Sequence, residues 1–198
     1  MNIFENPSTQ PFQQPDPDNA TGNSGTPVPT ADGRHWLAAY VKMHHERKTR
    51  DMLNAMGIEN FLPVQEEVRR WSDRLKKMER ILIPMMIFVR VNAAEQRQVI
   101  QLPAVIRYLV LRGEHRPAII PDYQMNHFRF LLDHAENTVT IEQELLVPGI
   151  SVRVVKGPLQ GLEGILLTVE GNSRIAVRIE QLGYATVEMH MGMVEINS

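Results

Sequence analysis

Hydrophobic residues occupy every second position in several short runs near the end of the chain. Apolar side chains occupy alternate positions over 152–154, 165–169, 175–179, 187–189 and 194–196, and all the residues between them except Leu166 are polar or small. A period of two places the apolar side chains on one face of a β-strand. Glycines punctuate the runs, as expected where one strand turns into the next. Five such strands predict a small all-β barrel over 147–198.

The pattern before the barrel mixes strands with helices. Strands are predicted at 35–41, 60–64, 86–91 and 105–112, with an exposed hairpin around 69–77. Helices are predicted at 46–56, from an Asn92 cap to Leu102, and from Pro121 as the first helical residue. The order β-α-β-β-β-α-β-α does not alternate regularly. It therefore favours an α+β fold, an antiparallel sheet with helices, for a domain over 34–137.

Two segments lack such a pattern. Residues 1–33 contain six of the thirteen prolines and no Lys or Arg, which predicts a disordered tail. The polar segment 138–146 is predicted to be a linker. The longest apolar run, Ile81 to Val89, is much shorter than the ~20 residues that span a bilayer. The N-terminus shows no secretory signal, so a cytoplasmic protein without a membrane partner is expected.

Composition argues against catalysis and metal binding. The chain has no cysteine, which excludes disulfides and thiolate ligands. His127 and His134 are seven residues apart, whereas the two histidines of a zinc-binding helix are four apart. No nucleophile lies in a recognisable pattern with a base. The sequence thus predicts a protein that is not an enzyme and has no cofactor.

Charge is segregated along the chain. Residues 34–90 contain twelve basic and seven acidic residues, although the net charge of the whole chain is -2. Segment 147–198 has four basic and five acidic residues. An RNA-binding module is expected to be clearly basic. The C-terminal barrel is therefore predicted to bind protein, and the middle of the chain is the cationic part.

The stretch VRVVKGPLQGLEG at 152–164 permits two interpretations, a phosphate cradle or a tight corner. A phosphate-binding loop ends in Gly-Lys-Ser/Thr and runs into a helix, whereas Gly164 is followed by a predicted strand. The corner is favoured, because glycines permit backbone conformations that other residues avoid.

The same stretch resembles the KOW motif of NusG-type transcription factors. Its matching positions at the turn are Gly157, Pro158, Gly161 and Gly164. The upstream half resembles the same family through Trp36 in the first strand, Leu62-Pro63, and Glu79-Arg80 before Ile83-Pro84-Met85-Met86. The likeness covers about 34–198. Residues 84–86 depart from the family's usual pattern, and a long tail precedes the first predicted strand. In these two features the chain resembles specialised paralogues, the UpxY-type antiterminators of capsular polysaccharide operons.

The resemblance implies a transcription elongation factor or antiterminator that binds the clamp of RNA polymerase and suppresses pausing or termination. By motif position, Ile83, Met86 and Phe88 would belong to the polymerase-binding patch. Met86 and Phe88 share one face of the predicted strand. The alternative, which the pattern leaves open, is that helices cover both faces. The chain is expected to act as a monomer.

The basic residues suggest contacts with upstream or non-template DNA. The candidates are Arg47, Lys48, Arg69, Arg70, Lys76 and Lys77. A solvated helix end and hairpin would explain the same charges. The family implies a ribosomal protein or the termination factor Rho as a partner of the barrel. Two other functions stay open: a ribosome-associated RNA-binding KOW protein, and an interaction module without polymerase contact.

Overall fold

The sheet that carries Met86 and Phe88 is antiparallel. The structure, a computed structural model, describes residues 33–71, 74–143, 149–169, 172–179 and 181–197, and side chains throughout these except at 68–71, 74–76 and 169. The strand order is β2-β5-β1-β6, and β7 also pairs with β1. The strands are β1 (His35–Val41), β2 (Glu59–Phe61), β5 (Met86–Val91), β6 (Val105–Tyr108) and β7 (Ile119–Ile120).

A separate hairpin extends from this sheet. Strands β3 (Val64–Trp71) and β4 (Arg74–Ile81) pair in register from Val64↔Ile81 to Trp71↔Arg74. The predicted hairpin is confirmed, and it is longer than the basic run that suggested it.

Three helices complete the first domain: α1 (Glu46–Ala55), α2 (Ala93–Ile100) and α3 (Asp122–His134). The capping box at the start of α2 is confirmed, since Asn92 accepts from the Glu95 N–H and Glu95 accepts from the Asn92 N–H. Pro121 is wrong as the first helical residue. Its ψ of 140° makes it the residue before the helix.

The predicted strand 105–112 is also too long. Strand β6 ends at Tyr108, and only an isolated bridge joins Val110 to Pro117 beyond it. The short strand β7 that follows, at Ile119–Ile120, was not predicted. Two residues that pair with β1 are too few to produce a recognisable periodicity.

Helices cover both faces of the first sheet. On one face, Ile87 and Val89 of β5 pack in one core with Leu53 of α1 and Val99 of α2. On the other face, Phe88 packs with Phe128 of α3. The alternative in which helices cover β5 on both sides is therefore the observed arrangement.

The C-terminal region is a six-stranded antiparallel sheet in the order β13-β9-β10-β11-β12-β8. Its strands are β8 (Thr140–Glu142), β9 (Ile150–Val154), β10 (Glu163–Val169), β11 (Asn172–Ile179), β12 (Gly183–Glu188) and β13 (Val194–Ile196). All five predicted strands are present. Strand β8 lies inside the predicted linker and pairs with β12. The closure of these strands into a KOW barrel stays a prediction.

Helix α3 lies between the two sheets, because it packs against β1 on one side and β11 on the other. A single buried cluster contains Phe88 of β5, Phe128 of α3 and Val177 of β11. Hydrophobic burial thus joins the two domains, and the C-terminal sheet is docked onto the first domain in this conformation.

Candidate functional site

The face of β5 proposed to bind polymerase is covered by aromatic packing. Met86 is 3% exposed and Phe88 is fully buried, whereas Ile83 is half-buried at the edge. The rings of Phe61, Phe88 and Phe128 lie with their centroids 5.7 to 6.2 Å apart. Two of these three pairs are edge-to-face, a favoured arrangement for aromatic rings. In this conformation a partner can reach Ile83 but neither Met86 nor Phe88.

A charged rim lies beside this buried face. The Arg90 guanidinium lies 3.4 Å from a carboxylate oxygen of Glu59 and 3.4 Å from one of Asp122. Arg129 of α3 also pairs with Glu59 and lies over the rings of Trp36 and Phe61. The Arg129 guanidinium thus makes cation–π contacts with two rings while it also pairs with a carboxylate. This rim helps hold α3 against the sheet edge.

Three of the predicted nucleic-acid contacts have described side chains. Arg47 pairs with Glu79 at 3.2 Å, and Lys77 pairs with Glu66 at 3.3 Å. Lys48 is exposed. The side chains of Arg69, Arg70 and Lys76 lie outside the described residues, although their backbone forms the hairpin. Glu79 partly neutralises Arg47 on α1, and Glu66 partly neutralises Lys77 on the hairpin. A count of basic residues could not show this pairing.

A groove of about 300 Å³ separates the start of α1 from the base of the hairpin. Its lining residues are Met43, His44, Glu46, Arg47, Glu79, Ile81 and Pro84. His44 and the nearby Met85 adopt positive φ angles of 62° and 60°. Such a backbone is uncommon for residues other than glycine and often marks functional loops.

Buried Glu46 joins the two loops beside this groove. Its Oε1 accepts a hydrogen bond of 2.8 Å from the Met85 N–H, and its side chain is nearly inaccessible to solvent. The bond ties the start of α1 to the turn before β5. The sequence singled out Glu46 only as a family match. No local signal could show that it reaches a backbone amide 39 residues away.

The glycine-rich stretch forms a turn between β9 and β10. Gly157 and Gly161 have φ angles of +84° and +91°, and Pro158 lies between them. The Gly161 N–H donates to the Val154 carbonyl oxygen, and the Gln160 N–H donates to that of Gly157. A Cβ at Gly164 would lie 2.7 Å from the Ala176 carbonyl oxygen. Amides that already donate within the turn cannot cradle a phosphate, which supports the corner interpretation.

One titratable group of α3 faces the C-terminal sheet. Burial lowers the pKa of His127, and the nearby Glu163 carboxylate of β10 partly opposes this by raising it. Glu163 in turn accepts a 3.1 Å hydrogen bond from Nε of Arg153 on β9. On its own helix, His127 contacts the ring of Tyr123 edge-to-face. An electrostatic contact thus accompanies the apolar docking of α3.

Metal-binding clusters and membrane-spanning helices were sought in the described ranges. No group of three or more His, Asp or Glu side chains there is arranged to hold a metal ion. None of the helices in the described part of the chain is both long and apolar enough to cross a bilayer.

Residues 34–129 match the NusG family, described as "Transcription termination factor nusG". The match covers just under half of the chain and supports a NusG-like first domain. A comparison of the sequence with curated proteins finds no match.

Two solved structures are similar to this chain. "Domain interaction in Thermotoga maritima NusG" is 19% identical, with a TM-score of 0.48, and the alignment covers 85% of this chain and 100% of that one. Conformation A of the MjSpt4:Spt5 complex is 10% identical, with a TM-score of 0.28, and the alignment covers 82% of this chain and 98% of that one. Sequence identities and TM-scores this low carry no argument about function.

Proposed function

We propose that this protein is a NusG-like transcription elongation factor and antiterminator whose first domain binds the clamp of RNA polymerase. The observation that carries the proposal is the family match over residues 34–129. The apolar side chains of β5, with Ile83 accessible at their edge, supply a surface of suitable chemistry. Methionine adapts well to varied apolar partners, so Met86 suits such a contact once it is uncovered.

We further propose that the protein acts on selected long operons, as the UpxY-type antiterminators of capsular polysaccharide synthesis do. The turn at Gly157–Gly164 and the five predicted strands support a KOW barrel, with a ribosomal protein or Rho as its class of partner. The groove beside His44, with Lys48 and the hairpin, is a candidate contact for upstream or non-template DNA. A polymerase partner would place the protein in the cytoplasm.

Ile83 provides the test of polymerase binding. Full-length protein is expected to capture core RNA polymerase, and Ile83→Ser is expected to weaken capture several-fold, because it removes the accessible apolar contact. The matched control is Ile106→Ser, since Ile106 is 52% exposed on β6, away from this face. Circular dichroism checks that both variants are folded. If the wild-type protein captures no polymerase, the proposed function is wrong.

A further inference from the structure

A second cationic surface lies at the opposite edge of the first sheet from α1. Helix α1 packs beside β2, which is one edge strand of that sheet. Strands β6 and β7 both pair with β1 at the other edge. The connection between them, residues 109–118, is called the edge loop. It is therefore a different surface from the groove beside α1.

The backbone of the edge loop is held at its base and turns sharply at its tip. At the base, Val110 forms a bridge with Pro117. At the tip, the Glu114 N–H donates to the Leu111 carbonyl oxygen at 3.0 Å, and Gly113 has a φ of +87°. A type II turn requires a positive φ at the third of its four residues, where glycine is favoured. The side chains of the tip thus start from a defined backbone.

The edge loop carries arginines that have no carboxylate partner. Arg112 and Arg116 are exposed, and neither forms an ion pair with any residue that the structure describes. Arg107 of β6 is exposed and likewise unpaired within the described ranges, and its guanidinium lies 4.3 Å from the centre of the Tyr40 ring. Between the first and last of these arginines the sequence has one acidic residue, Glu114. The local charge is therefore positive.

The cations on α1 and on the hairpin differ in this respect. Arg47 and Lys77 each pair with a glutamate. An anion that binds either of them must compete with that glutamate. The guanidinium groups of Arg112 and Arg116 are available to an anion without such competition.

The chemistry of the tip favours phosphate over a protein surface. No side chain from Arg112 to Arg116 is aliphatic, and none is Phe, Tyr or Trp. The centre of a protein interface is enriched in apolar and aromatic residues, which this tip lacks. Guanidinium groups bind phosphate oxygens through two parallel hydrogen bonds. Contacts with a phosphate backbone position a protein without reading the base sequence.

We propose that the edge loop is a sequence-independent contact for nucleic-acid phosphates, made by Arg112 and Arg116 with Arg107 beside them. The contact of Arg107 with the Tyr40 ring orients its guanidinium before binding. The ligand is the backbone of DNA or RNA. The proposal concerns direct binding of nucleic acid and does not rest on contact with polymerase.

Fluorescence anisotropy of the full-length protein with a labelled DNA duplex of mixed sequence tests the edge loop. Affinity is measured from about 20 to 200 mM salt, because each neutralised phosphate contributes about -0.9 to the slope of log K against log salt. Arg112→Gln and Arg116→Gln are each expected to weaken binding several-fold at low salt and to make the slope shallower by about 0.9. Glu114→Gln is expected to strengthen binding, because it removes a repulsive charge from the tip.

Lys156→Gln is the matched control. Lys156 is exposed in the turn after β9 and is not paired with any described residue, so the variant removes one positive charge at a distant place. Its affinity and slope should equal those of the wild-type protein, and circular dichroism checks that every variant is folded. Unchanged slopes in both arginine variants, or no binding by the wild-type protein at the lowest salt, would overturn the proposal.

Further arms of the experiment identify the ligand. Single-stranded DNA and RNA of the same sequence show which backbone binds more tightly. Poly-L-glutamate should compete several-fold less well than the unlabelled duplex, and equal competition would assign the edge loop to acidic proteins instead. Polymerase capture is measured on the same variants. Loss of duplex binding with intact capture concerns the edge loop alone, whereas duplex binding without capture by the wild-type protein contradicts only the proposed function.

Discussion

Phe88 illustrates how single residues decide what this surface can do. Its ring packs against Phe61 and Phe128, and no part of it is exposed. The alternation along 86–91 correctly placed Met86 and Phe88 on one face. It could not show that α3, some forty residues later in the chain, lies on that face. Phe88 is therefore both a candidate interface residue and a residue of the hydrophobic core.

This double role predicts a large loss of stability. Phe88→Ala is expected to lower the free energy of unfolding by about 3–5 kcal/mol, because it removes a buried ring and leaves a cavity. Urea denaturation of the full chain measures the change. Phe88→Leu should lose clearly less, and equal losses for the two variants would contradict the packing account. A surface variant at Ile106 provides the baseline.

Helix α2 shows how much an element owes to local sequence. The Asn92 side chain accepts from the N–H groups of Ala94 and Glu95 at 2.9 and 3.0 Å. Glu95 also accepts two hydrogen bonds from Arg34, which tie the helix start to the beginning of β1. The cap was readable from residues three apart. The contact with Arg34, 61 residues away, was not.

The Asn92 cap is expected to contribute measurably to the free energy of unfolding. Asn92→Ala should destabilise the protein by about 1 kcal/mol, since two amides lose their acceptor. Thermal or urea unfolding measures this. Asn92→Asp retains the acceptor and should remain near the wild-type stability. If Asn92→Asp were as unstable as Asn92→Ala, the capping explanation would fail.

For the whole molecule, the docking of the two domains is the property that connects structure with function. Its interface combines apolar contacts of α3 with the charged group of Glu163 near His127. The imidazole of His127 is partly buried beside Glu163 of β10, and burial disfavours its charged form. Docking should accordingly depend on pH.

The sign follows from the direction of the pKa shift. When the domains separate, His127 regains its ordinary pKa of about 6.5, whereas in the docked state the pKa lies lower. Docking is thus strongest above pH 6.5 and weakens as the pH falls through the docked pKa. Spin labels on Ile106→Cys of β6 and Gln160→Cys in the turn after β9, both exposed positions, report the separation of the two sheets, and the distribution of their distances should broaden between pH 7.5 and 5.5. His127→Gln should remove this dependence, and His115→Gln, at an exposed position, should retain it.

Much of the fold was determined by local sequence. The bounds of β1 and β5 were predicted correctly because each is an apolar run whose ends are marked by neighbouring residues. The five C-terminal strands follow from periodicity alone. The glycines at 157 and 161 were recognisable because only a few residue types tolerate a positive φ.

Tertiary structure decided the rest. Burial of Met86 and Phe88, the placement of α3 between two sheets, and the addition of β8 to the C-terminal sheet all depend on contacts between distant segments. Gln65 reaches Asn137 and Val139 across 72 and 74 residues. Periodicity reports which face of an element is apolar, but the surface that covers this face is chosen by the packing of the whole chain. For this protein, that packing determines whether the proposed binding face is open or closed.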